Sequence, residues 1–173
     1  DVLGTDYDST TTAPKSFTKM TYQLNPANRI NLSANYTDRK IVHIGGGANV
    51  AVDATSNLSS RTWVFNGNWT STLSDNALLE FKLGYYRSQG LQEPASGRRD
   101  ISGVSDMVTG EKFINSQSYI DRRPRTFNAN LHLNQYLPDF IGSHDIKIGA
   151  ELYLKKNYSY SAWNGNALIW YLN

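Results

Sequence analysis

Cysteine is absent from the 173 residues, which excludes a disulfide framework and every thiolate metal site. No apolar run approaches the roughly 18 residues of a membrane-spanning helix, and mean hydropathy is −0.50. A helical membrane protein is thereby excluded. A β-barrel is not, because its strands are apolar on one face only. Net charge of one sign is also lacking: 17 Lys and Arg stand against 15 Asp and Glu, for +2. Bulk electrostatics therefore gives no ground for nucleic acid as a partner. The chain opens DVLGTDYD, with no initiator Met and no basic n-region of a signal peptide. The expectation is a mature or excised piece of a longer protein.

What is present is alternation. Between Ser60 and Tyr86, Trp63, Phe65, Gly67 and Trp69 share one parity, and Thr62, Asn66, Asn68 and Thr70 the other. Leu79, Phe81, Leu83 and Tyr85 then oppose Glu80, Lys82, Gly84 and Tyr86. Period two means a sheet with one apolar and one polar face. Ser74-Asp75-Asn76 supplies the small polar residues of a hairpin turn. Each arm is about ten residues long, enough for a tilted strand to cross a bilayer.

The same unit recurs twice. Met20, Tyr22 and Leu24 lead through Asn25-Pro26-Ala27-Asn28 to Ile30, Leu32, Ala34 and Tyr36. Phe127, Ala129, Leu131 and Leu133 lead through Tyr136–Ser143 to Ile146, Ile148, Ala150 and Leu152. Six antiparallel strands are expected near 17–24, 29–37, 61–72, 77–87, 125–135 and 144–154. Residues 1–16 read as loop. Long outer loops are expected over 38–60, 88–122 and 155–173, with ALIWYLN as a possible short strand in the last. Short and long links alternate, so all short links fall on one rim of an up-and-down meander. Transmembrane barrels have this asymmetry. The lipid-facing parity is the one holding Leu32, Phe65, Phe81, Leu131 and Ile148. Tyr36, Trp63, Tyr85 and Phe127 sit at the long-loop strand ends, as one half of an aromatic girdle. The fold class expected is all-β: an antiparallel transmembrane β-barrel wall of about six strands, part of a larger barrel. A complete eight-stranded barrel is the alternative within the membrane class. A soluble β-meander or sandwich binding module is the alternative outside it.

Three stretches, KMTYQLNPANRINLSANYTDR, LSDNALLEFKLGYYR and GSHDIKIGAELY, resemble the barrel of TonB-dependent outer-membrane receptors, of the Oar-like kind. The resemblance covers about residues 17–173. It implies a barrel of about 22 strands, with an N-terminal plug that does not occur in this sequence. It implies a bacterial outer-membrane transporter that takes up a ligand. The partners implied are outer-membrane lipid and lipopolysaccharide, the remaining strands and plug of the same receptor, and TonB indirectly through that plug. A non-transporting barrel with a structural or adhesion role is the alternative function.

Catalytic, cofactor and metal sites are not expected, and neither is an enzyme. His43, His132 and His144 have no second histidine or carboxylate at ligand spacing on one face. Gly45-Gly46-Gly47 is not followed by Lys-Ser/Thr and opens no helical pattern, so it is no phosphate loop. Glu80 with Lys82, and Lys147 with Glu151, read as ion pairs lining a polar lumen. The Asn-x-Ser/Thr triplets at Asn31, Asn35, Asn57, Asn68 and Asn157 read as chance in an Asn-rich chain. Basic residues, by contrast, crowd the long-loop rim. Arg39, Arg61, Arg87 and Arg125 are expected at lipopolysaccharide phosphates, where Arg binds bidentately. Arg98 and Arg99, farther along their loop, are expected free for a ligand or partner.

Overall fold

The computed structural model describes residues 8–138 and 141–172. Asp139, part of the third predicted turn, Asn173 and the first seven residues of the predicted N-terminal loop lie outside the described residues. Twelve strands occur among those described: β1 (Thr11–Thr12), β2 (Lys15–Asn25), β3 (Asn28–Ile44), β4 (Ser56–Ser74), β5 (Ala77–Pro94), β6 (Val104–Asp106), β7 (Lys112–Phe113), β8 (Ser118–Arg122), β9 (Arg125–Leu137), β10 (His144–Lys156), β11 (Ser159–Trp163) and β12 (Ile169–Tyr171). The protein is all-β.

The main sheet is an antiparallel meander, β2-β3-β4-β5-β9-β10, in chain order. Its six strands are the six expected from alternation. The short turns follow the expected chemistry. Asn25 Oδ1 accepts from the Ala27 amide at 3.0 Å and from Asn28 Nδ2 at 3.0 Å, fixing the Pro26-Ala27 corner. Ser74 Oγ accepts from the Asn76 amide at 3.3 Å.

The strands run beyond the expected ends. β3 continues to Ile44, β4 begins at Ser56 and β5 reaches Pro94. The predicted loops 38–60 and 88–122 are therefore partly strand. β8 and β9 are one strand interrupted at Arg123-Pro124, since Gly90 opposite Arg122 keeps the register of Arg87 opposite Arg125. β1 and β2 are likewise one strand interrupted at Ala13-Pro14. β10 and β11 keep one register across Asn157-Tyr158. Proline explains two of the breaks, because it has no amide to give to the ladder. Pro14 O accepts from Asp38 N at 3.1 Å, and Pro124 O from Ser88 N at 3.0 Å, but neither proline returns a bond.

The links on the long-loop rim build a second, three-stranded sheet, β12-β6-β7, in which β12 runs parallel to β6. The expected short strand in ALIWYLN is β12. Among the described residues the buried apolar side chains are Ala51 and Val104, both in this outer layer, and Pro94, where β5 runs into it. The main sheet has no apolar core of its own.

Candidate functional site

Register assigns every side chain of the main sheet to a face. Tyr22, Ile30, Trp69, Phe81, Leu131 and Ala150 form one row across the six strands. Met20, Leu32, Gly67, Leu83, Ala129 and Leu152 form the next, and Thr18, Ala34, Phe65, Tyr85, Phe127 and Leu154 the third. This is the apolar parity expected. None of the described residues covers it: Phe65 is 47% exposed, Leu131 43% and Ile148 63%. Without a side chain at Gly67, a hollow of about 490 Å³ opens between Leu32, Phe65 and Leu83.

The apolar rows end at Ser16, Tyr36, Trp63, Arg87, Arg125 and Lys156. The Tyr36 and Trp63 rings lie 5.5 Å apart, and the Arg87 guanidinium lies 5.7 Å from the Trp63 ring centre. One step farther out, on the same face, Asp38 and Arg61 stand opposite each other at 4.0 Å. Of the four arginines grouped by sequence, the structure brings Arg61, Arg87 and Arg125 together on the apolar parity. Arg39 is opposite Ser60, on the polar face. Arg39 sits at the right height but on the wrong side, since adjacent residues of a strand point to opposite faces.

The polar face is built from amides. Asn31, Asn68, Lys82, Asn130 and Glu151 share one row; Ser33, Asn66, Gly84, Asn128 and Tyr153 share the next. A Cβ at Gly84 would fall 2.0 Å from Asn128 Oδ1, so this glycine makes room for the amide to lie across the strand. Thr21 Oγ1 donates to Asn31 Oδ1 at 2.9 Å, and Lys82 Nζ is 3.5 Å from Glu80 Oε2. These rows bound a hollow of about 330 Å³. His132 is not without a carboxylate on its face: it stands directly opposite Glu80. Sequence spacing cannot show this pair, because strand pairing makes it. The described residues hold no group of three or more His, Cys, Asp or Glu placed to bind a metal ion.

Arg98 and Arg99 are not free. Arg98 Nη2 is 2.7 Å from Asp100 Oδ2, and Arg99 pairs with Glu93 while its guanidinium lies 4.3 Å from the Tyr119 ring centre. The hydrogen bond from Arg98 lowers the Asp100 carboxyl below its ordinary value. Arg99 ties the loop to β5 and β8, whereas Arg98 pairs only within the loop, where sequence reasoning saw no such contacts. Asn115 organises that layer. Its Nδ2 donates to Arg98 O at 2.8 Å and Ile101 O at 2.6 Å, and its Oδ1 accepts from Ser96 Oγ at 2.7 Å. Asn164, fully buried, donates to Ser116 O at 2.7 Å.

No family model, no curated protein and no solved structure matches the chain. The arrangement itself is what bears on function: a sheet with one bare apolar face, one amide-lined face and a folded layer at one rim.

Proposed function

We propose that the six long strands are part of the wall of a transmembrane β-barrel in a bacterial outer membrane, and that this barrel is a TonB-dependent receptor taking up a ligand. The observation that carries the reading is the bare apolar face. The chain exposes 11,351 Å², where a compact monomer of this mass exposes about 8,500 Å². Exposed apolar surface costs about 25 cal/mol per Å² in water; hydrocarbon removes that cost. From Leu79 to Arg87 the face is eight residues of strand tall, about 27 Å at 3.4 Å each. Strand tilt brings that within the roughly 25 Å apolar band of an outer-membrane barrel. The hollow at Gly67 takes a lipid tail. Arg61, Arg87 and Arg125, emerging at the aromatic row, meet lipopolysaccharide phosphates.

Two further observations support the reading. β2 and β10 each pair on one side only among the described strands, and every residue of both is exposed. Unpaired backbone is expensive in a bilayer, so both edges join further strands of the same barrel. The amide face then lines the lumen, where a plug and a passing ligand find hydrogen-bond partners. Exposed Met107, Val108 and Trp170 on the outer layer favour the second reading, a barrel with an adhesive role.

The test fractionates cells making the full-length protein, then offers the periplasmic domain of TonB. Outer-membrane recovery with TonB capture is expected. Recovery in the soluble fraction removes the barrel, and outer-membrane recovery without capture leaves the adhesive reading. Replacing Arg61, Arg87 and Arg125 together by Gln lowers lipopolysaccharide co-purification several-fold, whereas Arg39→Gln leaves it unchanged.

A further inference from the structure

Beyond the aromatic row the two faces divide charge unequally. In this part of the main sheet the carboxylates are Asp38, Glu93 and Asp121. Register places all three on the apolar parity, opposite Arg61, Asn57 and Leu91. Each has an arginine: Asp38 with Arg61, Glu93 with Arg99, and Asp121 with Arg123 at 2.5 Å. The polar face of the same region carries Lys15, Arg39 and Arg122 and no strand carboxylate. Neither guanidinium has an ion pair among the described residues.

These two arginines belong to one row. Arg39 is opposite Ser60, Ser60 opposite Gly90, and Gly90 opposite Arg122. Three strand spacings put their Cα atoms about 14 Å apart. The residues between them are among the smallest available, so the floor is low and both ends are cationic. A cavity of about 190 Å³ lies over this row. The row on its inner side supplies hydroxyls, with Thr62 Oγ1 and Ser88 Oγ 3.0 Å apart. The row on its outer side supplies Leu58 and Ile120 against Gln92.

We infer that the Arg39–Ser60–Gly90–Arg122 row is a binding site for a small oxyanion solute, a carboxylate or phosphate. Arg suits this ligand because its planar fork pairs with both oxygens of the group. The hydroxyls accept or donate at the remaining oxygens. Asymmetry of charge gives the site its selectivity: a cation meets two uncompensated arginines there, and no carboxylate on that face screens them. The site stands on the geometry of the sheet and holds whether or not the protein transports anything.

The test is isothermal titration of the full-length protein with inorganic phosphate and with citrate at low salt, maltose serving as the neutral control. Saturable binding of phosphate, of citrate or of both supports the site and names its oxyanion. Arg39→Gln and Arg122→Gln each weaken that binding about ten-fold or more, and Arg39→Lys weakens it less. Arg61→Gln, on the other face, leaves it unchanged. Thermal melts confirm that the variants remain folded. Absence of saturable anion binding, binding indifferent to both polar-face variants, or equal weakening by Arg61→Gln overturns the inference.

Discussion

Below the Trp63 row, the main sheet has one apolar and one amide face, a single ion pair (Lys82 with Glu80) and no buried apolar side chain among the described residues. Above that row, the same strands carry charge on both faces, and their three carboxylates Asp38, Glu93 and Asp121 are all ion-paired. A folded layer with Asn115 and Asn164 buried inside it sits there. The lower part leaves its apolar face exposed, with Phe65, Leu131 and Ile148 uncovered by the described residues. The upper part is organised as a small body around buried Ala51, Pro94 and Val104, with hydrogen bonds to the buried amides Asn115 and Asn164. One continuous sheet thus presents two kinds of surface, and the boundary between them is a row of aromatic and basic side chains.

The comparison breaks first at Phe81. Phe81→Arg in the lower part costs about 2–4 kcal/mol in lipid, while Lys82→Arg, on the amide face, is tolerated. Denaturant unfolding of the full-length protein in vesicles measures both, and equal losses would erase the distinction between faces. Next is Asn115→Ala in the upper part. It strands the carbonyls of Arg98 and Ile101 without their donor, at about 1–3 kcal/mol. Hydrogen exchange is expected to quicken over residues 96–117 and stay unchanged in the lower strands. Quickening in both would make the two parts one cooperative unit.

The smallest effect is set by pH. Asp106 Oδ1 accepts from the Val108 amide at 2.8 Å and the Thr109 amide at 3.2 Å. The Val108 bond first, then the Thr109 bonds, hold its carboxyl below the ordinary 3.8, against the opposing pull of burial. A depressed carboxyl stabilises the β6–β7 hairpin fully above the unfolded value. That contribution is lost as pH falls through the folded one. Amide exchange at Val108 and Thr109 is expected to be flat from pH 7 to about 5 once corrected for intrinsic rates, and to rise on the acid side of about 4. Asp106→Asn removes this dependence, and the lower strands do not share it.

The two parts were unequally legible in the sequence. Period-two hydrophobicity reports a difference between two environments, so Trp63-Phe65-Gly67-Trp69 announced its strand and its face. Where both faces are polar the period vanishes. Ser56–Ser60 and Ser88–Pro94 therefore read as loop, although they continue β4 and β5 without a break. The misplacement of Arg39 came from ranking residues by height alone; parity, present in the sequence, separates it from Arg61. Glu80 opposite His132 and Glu93 beside Arg99 depend on strand pairing and loop return, which local pattern does not encode. Asn115 and Asn164 gave no signal, because a buried amide looks like any other Asn until its partners are known.

The interruptions at Pro14, Pro124 and Asn157 lie within one row of each other, just above the aromatic boundary. Only β3, β4 and β5 cross that level with their ladders intact. The ladder is thinned there but not cut: Pro14 O and Pro124 O still accept from Asp38 N and Ser88 N, and Arg123 N donates to Tyr158 O, while neither proline donates in return. Each outer flank therefore crosses that level on fewer backbone bonds than the three central strands do. A load applied to the rim therefore meets its weakest backbone pairing at this level, before it reaches the rows below.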